Sequence, residues 1–411
     1  MTQRFRRYCD KVFGLTERLQ IIRDDRPKPI IASGRVWLFA LFMFASKTRS
    51  LHAAECRSRV SNHSRFASVP RPSADTLGRV FARMDTESLR RVLSSLNHKL
   101  KRNKSLKSHE KLFFAAVDGH ELFNSKSRCC ESCLTRKLTT NDREATEHYH
   151  RITVCHLVGA GLALPLDAEP ILPGEDEKAS ARRLLERVFK NYARFFDVVI
   201  GDALYLDRSF VSFVKSHNKH LVSVLKNNNP SLLEDAQGLF NAIPPKINRK
   251  DSSEEVVIWD EENFQTREGC LPLRIIYSKE KEFKTRQIAG KRIQVTEEHH
   301  RWWATTLPQA VLGSESLRWI ARRRWEIENN LFGVLSTHWS MDHCFKHHPT
   351  AILNFILTLF AAFILVQSFY QRNLKTPFRN KLTLITLGDL LFAGLMHDIR
   401  SALWIPPPRS P

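Results

Sequence analysis

Acidic residues are scarce in this chain of 411 residues. It holds 43 Asp and Glu against 64 Lys and Arg, which gives a formal net charge of +21 at pH 7. A positive excess of this size indicates a polyanionic partner, either nucleic acid or an anionic membrane surface. Charged residues make up an ordinary 26% and hydrophobic residues 42%, so the composition argues against wholesale disorder and can supply a sizeable core.

Cysteine is also rare, since eight residues in a chain of 411 are too few for a disulfide scaffold. The first residues are polar and charged and contain no apolar secretory signal. The sequence shows no internal repeat and no low-complexity tract. These features together predict a cytoplasmic protein in a reducing compartment.

Long apolar runs are nearly absent. The exception is residues 351–369, nineteen residues without a formal charge, which are long enough to span a membrane. The run contains four polar residues, Asn354, Thr358, Gln367 and Ser368, and no second convincing span accompanies it. We therefore expect a buried helix of a large protein, with a membrane anchor as the alternative.

The positive charge is concentrated at one end of the chain. Residues 1–110 hold 24 Lys and Arg against 9 Asp and Glu, so they carry +15 of the total charge of +21. Apolar residues recur in this region with helical spacing, in a first segment around residues 12–22, a second at 36–44 and a third at 73–100. The pattern predicts a basic helical region that binds DNA through its phosphates.

The middle of the chain predicts an α/β sheet. Its apolar segments follow the order β-β-β-α-β-α-β, and the first and fourth strands end at Asp118-Gly119 and Gly201-Asp202. Residues 227–300 alternate short strand patterns with charged turns, which indicates a β-rich insertion. We expect residues 302–307 to return the chain to the main sheet and residues 314–339 to form one long helix.

Three carboxylates stand out by their positions. Asp118 and Asp202 follow apolar strands, and Glu328 lies on the long helix with Arg324 one turn before it. If the three acids converge, a divalent cation such as Mg²⁺ is their natural partner, because it prefers hard oxygen ligands. Two such ions support phosphodiester chemistry. The alternatives are separate turn residues and, for Glu328, a surface ion pair with Arg324.

These residues resemble a known family. Ala116-Val117-Asp118-Gly119, then Val199-Ile200-Gly201-Asp202-Ala203-Leu204-Tyr205, then Arg324-Trp325-Glu326-Ile327-Glu328-Asn329 are similar to bacterial insertion-sequence transposases with an RNase H-like DDE catalytic domain. The resemblance covers residues 110–375. It implies an α/β fold with an RNase H-like mixed sheet, a β-rich insertion, and helical N-terminal and C-terminal regions.

The resemblance also implies an activity and its partners. Such an enzyme cleaves transposon-end DNA and joins the 3′-OH to target DNA, with two Mg²⁺ (or Mn²⁺) ions held by Asp118, Asp202 and Glu328. Arg324 would hold DNA phosphate or orient Glu328, and synapsis of two ends favours a homodimer. The expected regions are residues 1–110 for DNA binding, 111–226 and 301–345 for the two parts of the catalytic core, 227–300 for the insertion, and 346–411 for a helical C-terminal region and tail.

The sequence departs from the family at two positions. Many relatives have a Tyr seven residues before the Glu and a Lys seven after it, where this chain has Ala321 and Leu335. Either Arg322 and Arg323 make the missing phosphate contacts, or this copy is weakened. A catalytically dead DNA-binding protein and a metal-dependent nuclease of the same fold therefore remain alternatives.

Glu326 could be confused with the third ligand. It lies two residues before Glu328, about 200° around an ideal helix, so the two cannot face the same metals. We expect Glu328 to be the ligand.

The cysteines suggest a second metal. Cys130 and Cys133 form a C-x-x-C pair, and Cys344, with His343, His347 or His348, could complete a zinc site. Free intracellular thiols are the alternative. We expect residues 147–150, which include two histidines, to begin a strand and not to bind metal.

Overall fold

The structure, a computed structural model, describes residues 1–60, 72–140, 143–265, 272–288 and 291–396. In these residues ten strands form one mixed sheet. The strands are β1 (Phe114–Ser125), β2 (Leu134–Thr140), β3 (Arg143–Val158), β4 (Leu164–Pro170), β5 (Val198–Gly201), β6 (His220–Val224), β7 (Ile247–Lys250), β8 (Glu254–Phe264), β9 (Leu273–Ile288) and β10 (Lys291–Thr305). Their order is β2-β3-β1-β5-β6-β10-β9-β8-β7, with β4 paired to β3. The expected α/β class is confirmed.

Helices flank the sheet and make up both ends of the described chain. They are α1 (Thr2–Phe13), α2 (Leu15–Arg18), α3 (Ser33–Ala45), α4 (Leu51–Val60), α5 (Ala74–Arg83), α6 (Thr86–Arg102), α7 (Glu177–Asn191), α8 (Arg208–Ser216), α9 (Pro230–Ala242), α10 (Ser314–Arg322), α11 (Gly333–Trp339), α12 (Pro349–Asn373), α13 (Thr376–Arg379) and α14 (Leu384–Met396). Residues 397–411, the end of the expected C-terminal region and its tail, lie outside the described residues.

The first strand is longer than the sequence predicted. We expected it to end at Asp118-Gly119, but β1 continues to Ser125 because it pairs with the long antiparallel strand β3 along nearly its whole length. Its parallel pairing with β5 stops at Ala116. Beyond this residue the β5 side of β1 is open, and an opening past the carboxyl end of a parallel strand is where α/β sheets usually bind ligands.

Two further elements were not predicted. β2 forms a hairpin arm beside β3, so four strands and not three precede α7. Helix α9 begins at Pro230 inside the region expected to be β-rich. The long antiparallel strands β8, β9 and β10 confirm the β-rich insertion, and residues Trp303–Thr305 return the chain to the main sheet beside β6, as expected.

Two predicted long helices are interrupted. The segment 73–100 is two helices, because the first ends at Arg83 and Asp85 caps the second by accepting hydrogen bonds from the N–H groups of Glu87 and Ser88. The segment 314–339 is also not one helix. α10 ends at Arg322, and residues Ile327–Phe332 form a wider π-helical turn before α11. Such turns insert extra backbone into a helix and are frequent at functional sites.

Helix α12 is the centre of the helical part of the fold. Every residue from Ala351 to Phe369 is buried, and α12 packs against α1, α3, α5, α6, α14 and β4. Among the described helices it alone is long and apolar enough to cross a membrane, but 89% of its most apolar window is buried inside the protein. The prediction that this run is a buried helix is confirmed.

The basic N-terminal region is joined to the sheet through α6. Arg90 Nε donates to Asp167 Oδ1 of β4 at 3.1 Å, and both side chains are buried. Arg187 of α7 donates to the other oxygen of the same carboxylate at 2.7 Å. Asn97 Nδ2 also reaches the carbonyl of Pro165 at 3.0 Å. Because buried charges are costly unless paired, this network fixes α6 against one edge of the sheet.

Asn354 supplies a test of how α12 is held. Its Nδ2 donates to the carbonyls of Phe81 and Met84 at 3.0 and 2.9 Å, where the chain leaves α5. The substitution Asn354→Leu keeps a similar branched shape, in a larger side chain, but removes both donors, so two buried carbonyls lose a partner. We expect the free energy of unfolding, measured by urea titration, to fall by about 2–4 kcal/mol.

Thr358→Val is the matched control one turn further along α12. The Thr358 hydroxyl donates only to the carbonyl of Asn354 within its own helix, so its loss should cost about 1 kcal/mol or less. Equal stability of Asn354→Leu and the wild type would contradict this account of the packing.

Candidate active site and candidate metal centre

Asp118 and Glu328 meet at one arginine. Asp118 lies on β1, and its Oδ2 accepts a hydrogen bond from Arg324 Nη1 at 2.9 Å. The same nitrogen lies 2.7 Å from Glu328 Oε1 in the π-helical turn. The side chains of Asp118 and Arg324 are only 16% and 11% exposed. The structure therefore brings three of the residues identified from the sequence into direct contact, although they come from distant parts of the chain.

Asp202 directly follows the neighbouring strand, β5. Ala116 and Ile200 are the last paired residues of β1 and β5, so Asp118 and Asp202 each come two residues after the end of this pairing. Asp202 Oδ1 accepts a hydrogen bond from the N–H of Leu204 at 2.8 Å and starts a single 3₁₀ turn. The oxygens of Asp118, Asp202 and Glu328 are not all within 4.8 Å of one another. Among the described residues, two other groups of possible metal ligands lie that close together.

A fourth carboxylate, Glu177, was not identified from the sequence. It is the first residue of α7, where its Oε1 accepts a hydrogen bond from the Tyr205 hydroxyl at 2.7 Å and its Oε2 accepts one from Arg151 at 3.0 Å. Nothing in the sequence distinguishes Glu177 from its acidic neighbours. Tyr205, however, belongs to the second of the three quoted motifs, which gave a usable signal.

The electrostatics of the site centre on Asp118. Burial raises the pKa of Asp118 to about 7 against the lowering effect of Arg324, and the negative charges of Glu328 and Glu177 raise it further. The site therefore holds more negative charge than its arginine offsets. Carboxylate oxygens alone, with this excess charge, are a donor set that fits a hard divalent cation such as Mg²⁺ or Mn²⁺.

The glycines beside the two aspartates allow this packing. A Cβ on Gly119 would lie 2.1 Å from Glu177 Oε2, and a Cβ on Gly201 would lie 2.6 Å from Cδ2 of the Tyr205 ring. No side chain fits at either position, so each glycine permits a close approach of backbone to a group of the site. This gives a physical reason for the Asp-Gly and Gly-Asp pairs in the sequence.

Glu326 points away from this cluster. Its Oε2 accepts a hydrogen bond from the N–H of Gly159 at 2.8 Å, and its other oxygen pairs with Arg323. Arg323 also stacks over Trp319, 3.8 Å from the ring centroid. The geometry thus supports the expectation that Glu328, and not Glu326, faces Asp118.

Arg322 contacts carboxylates of its own chain, Glu280 at 3.0 Å and Glu282 at 2.7 Å. Ala321 and Leu335 are buried. Leu335, where relatives carry Lys, therefore faces the core, whereas Ala321, where relatives carry Tyr, also lines a cavity beside Arg324 and Trp325.

A separate cluster contains two cysteines and two histidines. One ligand atom from each of Cys130, Cys133, His150 and His347 lies within 4.8 Å of all the others. Cys344, which we expected to complete the set, is not a member of this group. His150 of β3 takes part instead, with His347 as one of the three candidate histidines. Strand formation at residues 147–150 is confirmed, but that strand carries a candidate ligand, contrary to expectation.

The protonation of this cluster follows from its burial. Desolvation, assisted by His347, lowers the pKa of His150 to about 4, so its imidazole is neutral at pH 7. Burial likewise raises the pKa of Cys130 to about 11. A second group, Glu282, Glu297 and His299, is already paired with cations, because Lys284 contacts both glutamates at 2.7 and 2.8 Å.

Gly119→Ala tests the close packing around Glu177. The new methyl group must displace the Glu177 carboxylate from Tyr205 and Arg151, and we expect the free energy of unfolding to fall by about 1–3 kcal/mol. Urea titration measures this loss. Gly238→Ala is the control, because no atom lies within 4 Å of its Cβ position in α9, and it should be neutral or stabilising by up to about 1 kcal/mol. Equal effects of the two substitutions would refute the argument.

The pH dependence of stability tests the buried charge of Asp118. Its folded pKa of about 7 lies above the unfolded value of 3.8, so the folded state binds the proton more tightly and the ionised group opposes folding at higher pH. Asp118→Asn should therefore be more stable than the wild type at pH 8 in EDTA. The gain should shrink as the pH falls through 7 and disappear near 4.

Urea titrations at several pH values measure this difference. Asp75→Asn is the control, because the Asp75 side chain is 66% exposed in a surface pair with Arg79 and should show little change with pH. A gain for Asp118→Asn that grows as the pH falls would contradict the assigned direction.

Comparison with known protein families gives a match for this chain. A family model described as a transposase DDE domain matches residues 135–365, more than half of the chain. The matched range includes Asp202, Arg324 and Glu328 and begins after Asp118. A search of curated proteins found no significant match. The matched family accounts for the mixed sheet with flanking helices as an RNase H-like fold. The chain therefore belongs to the DDE transposases of the insertion-sequence type.

Proposed function

We propose that this transposase cleaves the ends of a mobile DNA element and joins the exposed 3′-OH to target DNA. The observation that carries the proposal is the contact of Asp118 and Glu328 through Arg324. Asp202 directly follows β5, the parallel neighbour of β1. Partly buried acids at such a position are costly to the fold, which favours a functional role over a structural one.

Asp118, Asp202 and Glu328 are the residues that would hold Mg²⁺ or Mn²⁺. When bound, two such ions lower the pKa of the attacking water and stabilise the leaving oxygen of a phosphodiester. Arg324 orients Glu328 toward Asp118 and places a positive charge beside the reacting phosphate. Glu177 and Tyr205 hold the strand ends in position behind the aspartates, since their hydrogen bond joins α7 to the turn after Asp202.

The surface beside the acids suits a DNA strand. A cavity of about 890 Å³ lies between the turn after Asp202 and the turn that carries Arg324. Its lining includes Asn227, Asn228 and Trp302, and Trp325 is 55% exposed at its edge. Amide groups, arginines and exposed aromatic rings are the side chains that contact phosphates and stack on bases.

The remaining parts of the proposal follow from charge and family. Residues 1–110 bind the transposon ends, because most of the net positive charge lies there. Lysine and arginine side chains bind DNA by neutralising its phosphates. Residues 111–226 and 301–345 form the catalytic core, and two copies of the chain bring two ends together. The protein acts in the cytoplasm, where α12 serves as a core helix and not as a membrane anchor.

A strand-transfer assay tests the proposal. The purified chain is mixed with a duplex that carries the element's ends and with plasmid target, in Mg²⁺ or in EDTA. We expect cleavage and joining in Mg²⁺ only. Asp118→Asn, Asp202→Asn and Glu328→Gln should each reduce both products by more than about 100-fold, because even groups behind metal ligands are worth 10–100-fold. DNA binding, followed by gel shift, should survive in all three.

Glu326→Gln is the matched control two residues from Glu328, and it should retain cleavage. Loss of cleavage in Glu326→Gln but not in Glu328→Gln would show that Glu326, and not Glu328, is the third metal ligand. Cleaved ends without joined products would indicate a nuclease. A wild type that binds the ends but never cuts them would indicate a DNA-binding relic, consistent with the burial of Ala321 and Leu335.

A further inference from the structure

The cluster of two cysteines and two histidines draws on three separate parts of the fold. Cys130 and Cys133 lie in the turn between β1 and β2, His150 lies on β3, and His347 lies just before α12. The two sulfurs are 3.7 Å apart and the two Nε2 atoms are 3.3 Å apart. Cys133 Sγ lies 3.3 Å from His150 Nε2 and 3.2 Å from His347 Nε2, and Cys130 Sγ lies 3.4 Å from His150 Nε2.

These five separations can be compared with the edges of a tetrahedral zinc site. Bonds of about 2.3 Å to sulfur and about 2.0–2.1 Å to nitrogen place the ligand atoms of a tetrahedral site about 3.8 Å apart for two sulfurs, about 3.5 Å for a sulfur and a nitrogen, and about 3.3–3.4 Å for two nitrogens. The observed S–S distance of 3.7 Å and N–N distance of 3.3 Å are close to these values, and the observed S–N distances of 3.2 to 3.4 Å are slightly shorter.

Hydrogen bonding alone does not account for the arrangement. His150 Nε2 has three close neighbours, the sulfurs of Cys130 and Cys133 and the Nε2 of His347. A ring nitrogen carries either one proton or one lone pair, so it can satisfy only one of them well. Cys133 and His150 are also buried, where unsatisfied polar groups are costly. A central cation would use the electron pairs of all four atoms together.

We propose that Cys130, Cys133, His150 and His347 bind a structural zinc ion. Four protein ligands leave no open position for water or substrate, as is typical of structural and not catalytic zinc. The sulfur ligands favour zinc over magnesium, which the oxygen-only site around Asp118 favours. Binding releases the two thiol protons, and the resulting pair of thiolates balances the charge of the ion.

The ion would attach the segment 340–348 to the sheet. This segment joins α11 to α12, and Asp342 within it accepts a hydrogen bond from His120 of β1 at 2.8 Å. Phe345 packs against Phe44 and Phe355, with each pair of ring centroids 5.2 Å apart. Zinc at His347 therefore holds the start of α12 and the far half of β1 together, and its loss should loosen both.

Metal analysis of the purified full chain tests this site. After dialysis against a weak chelator, elemental analysis should find about one zinc ion per chain. Cys133→Ser and His347→Ala should lose it. Cys344→Ser and Cys129→Ser are the matched controls, since these cysteines lie in the same two segments but outside the group, and both should keep the metal. A strong chelator should lower the Tm of the wild type, and added zinc should restore it.

Cobalt substitution keeps the test decisive if a variant folds poorly. Co²⁺ in the wild type should give the intense visible bands of a tetrahedral site and the ultraviolet charge-transfer band of thiolate ligands. His347→Cys should still bind the ion, with a stronger charge-transfer band from the added thiolate. A wild type that takes up neither metal, or zinc retained by Cys133→Ser and His347→Ala, would overturn the proposal. Zinc loss in Cys344→Ser equal to that in Cys133→Ser would show a different ligand set.

Discussion

Much of the described fold packs against α12, whose residues from Ala351 to Phe369 are buried on every side. A helix without a polar face cannot lie on a surface in water, so other elements must surround it. Here they are helices from both ends of the chain and strand β4. The basic N-terminal helices therefore share a core with the sheet.

The polar groups of α12 determine how those neighbours are arranged. Asn354 donates to two carbonyls at the end of α5, and Gln367 exchanges two hydrogen bonds with the backbone of Ala163 at 2.8 and 3.1 Å. Ser368 hydrogen bonds with the hydroxyl of Tyr8 at 2.7 Å. In an apolar environment these polar groups have few other hydrogen-bond partners. The bonds therefore fix the rotation of α12 about its axis and its position along that axis.

The core around α12 is connected to the acidic site through the sheet. Strand β4 packs against α12 and pairs with β3, and β3 pairs with β1, which carries Asp118. The arrangement around Asp118 lowers the stability of the fold, because it brings negative charges together in a partly buried place. It places the negative charges of Glu328 and Glu177 near Asp118 and offsets Asp118 and Glu328 with one shared guanidinium. Glycines on both strands remove the side chains that would keep these groups apart. A site that is costly to the folded state and complementary to cations is typical of metal-dependent phosphodiester chemistry.

The sequence by itself determined the fold class, the helical N-terminal region, the β-rich insertion and the burial of α12, because these follow from local apolar spacing and composition. It also singled out Asp118, Asp202, Arg324 and Glu328 as candidate site residues through a family resemblance, and the structure brings Asp118, Arg324 and Glu328 into contact. Tertiary structure alone decided the continuation of β1, the breaks at Asp85 and after Arg322, and the roles of Glu177 and His150. Each of these depends on a partner distant in the sequence, and side-chain spacing along one element carries no information about which distant element will lie beside it.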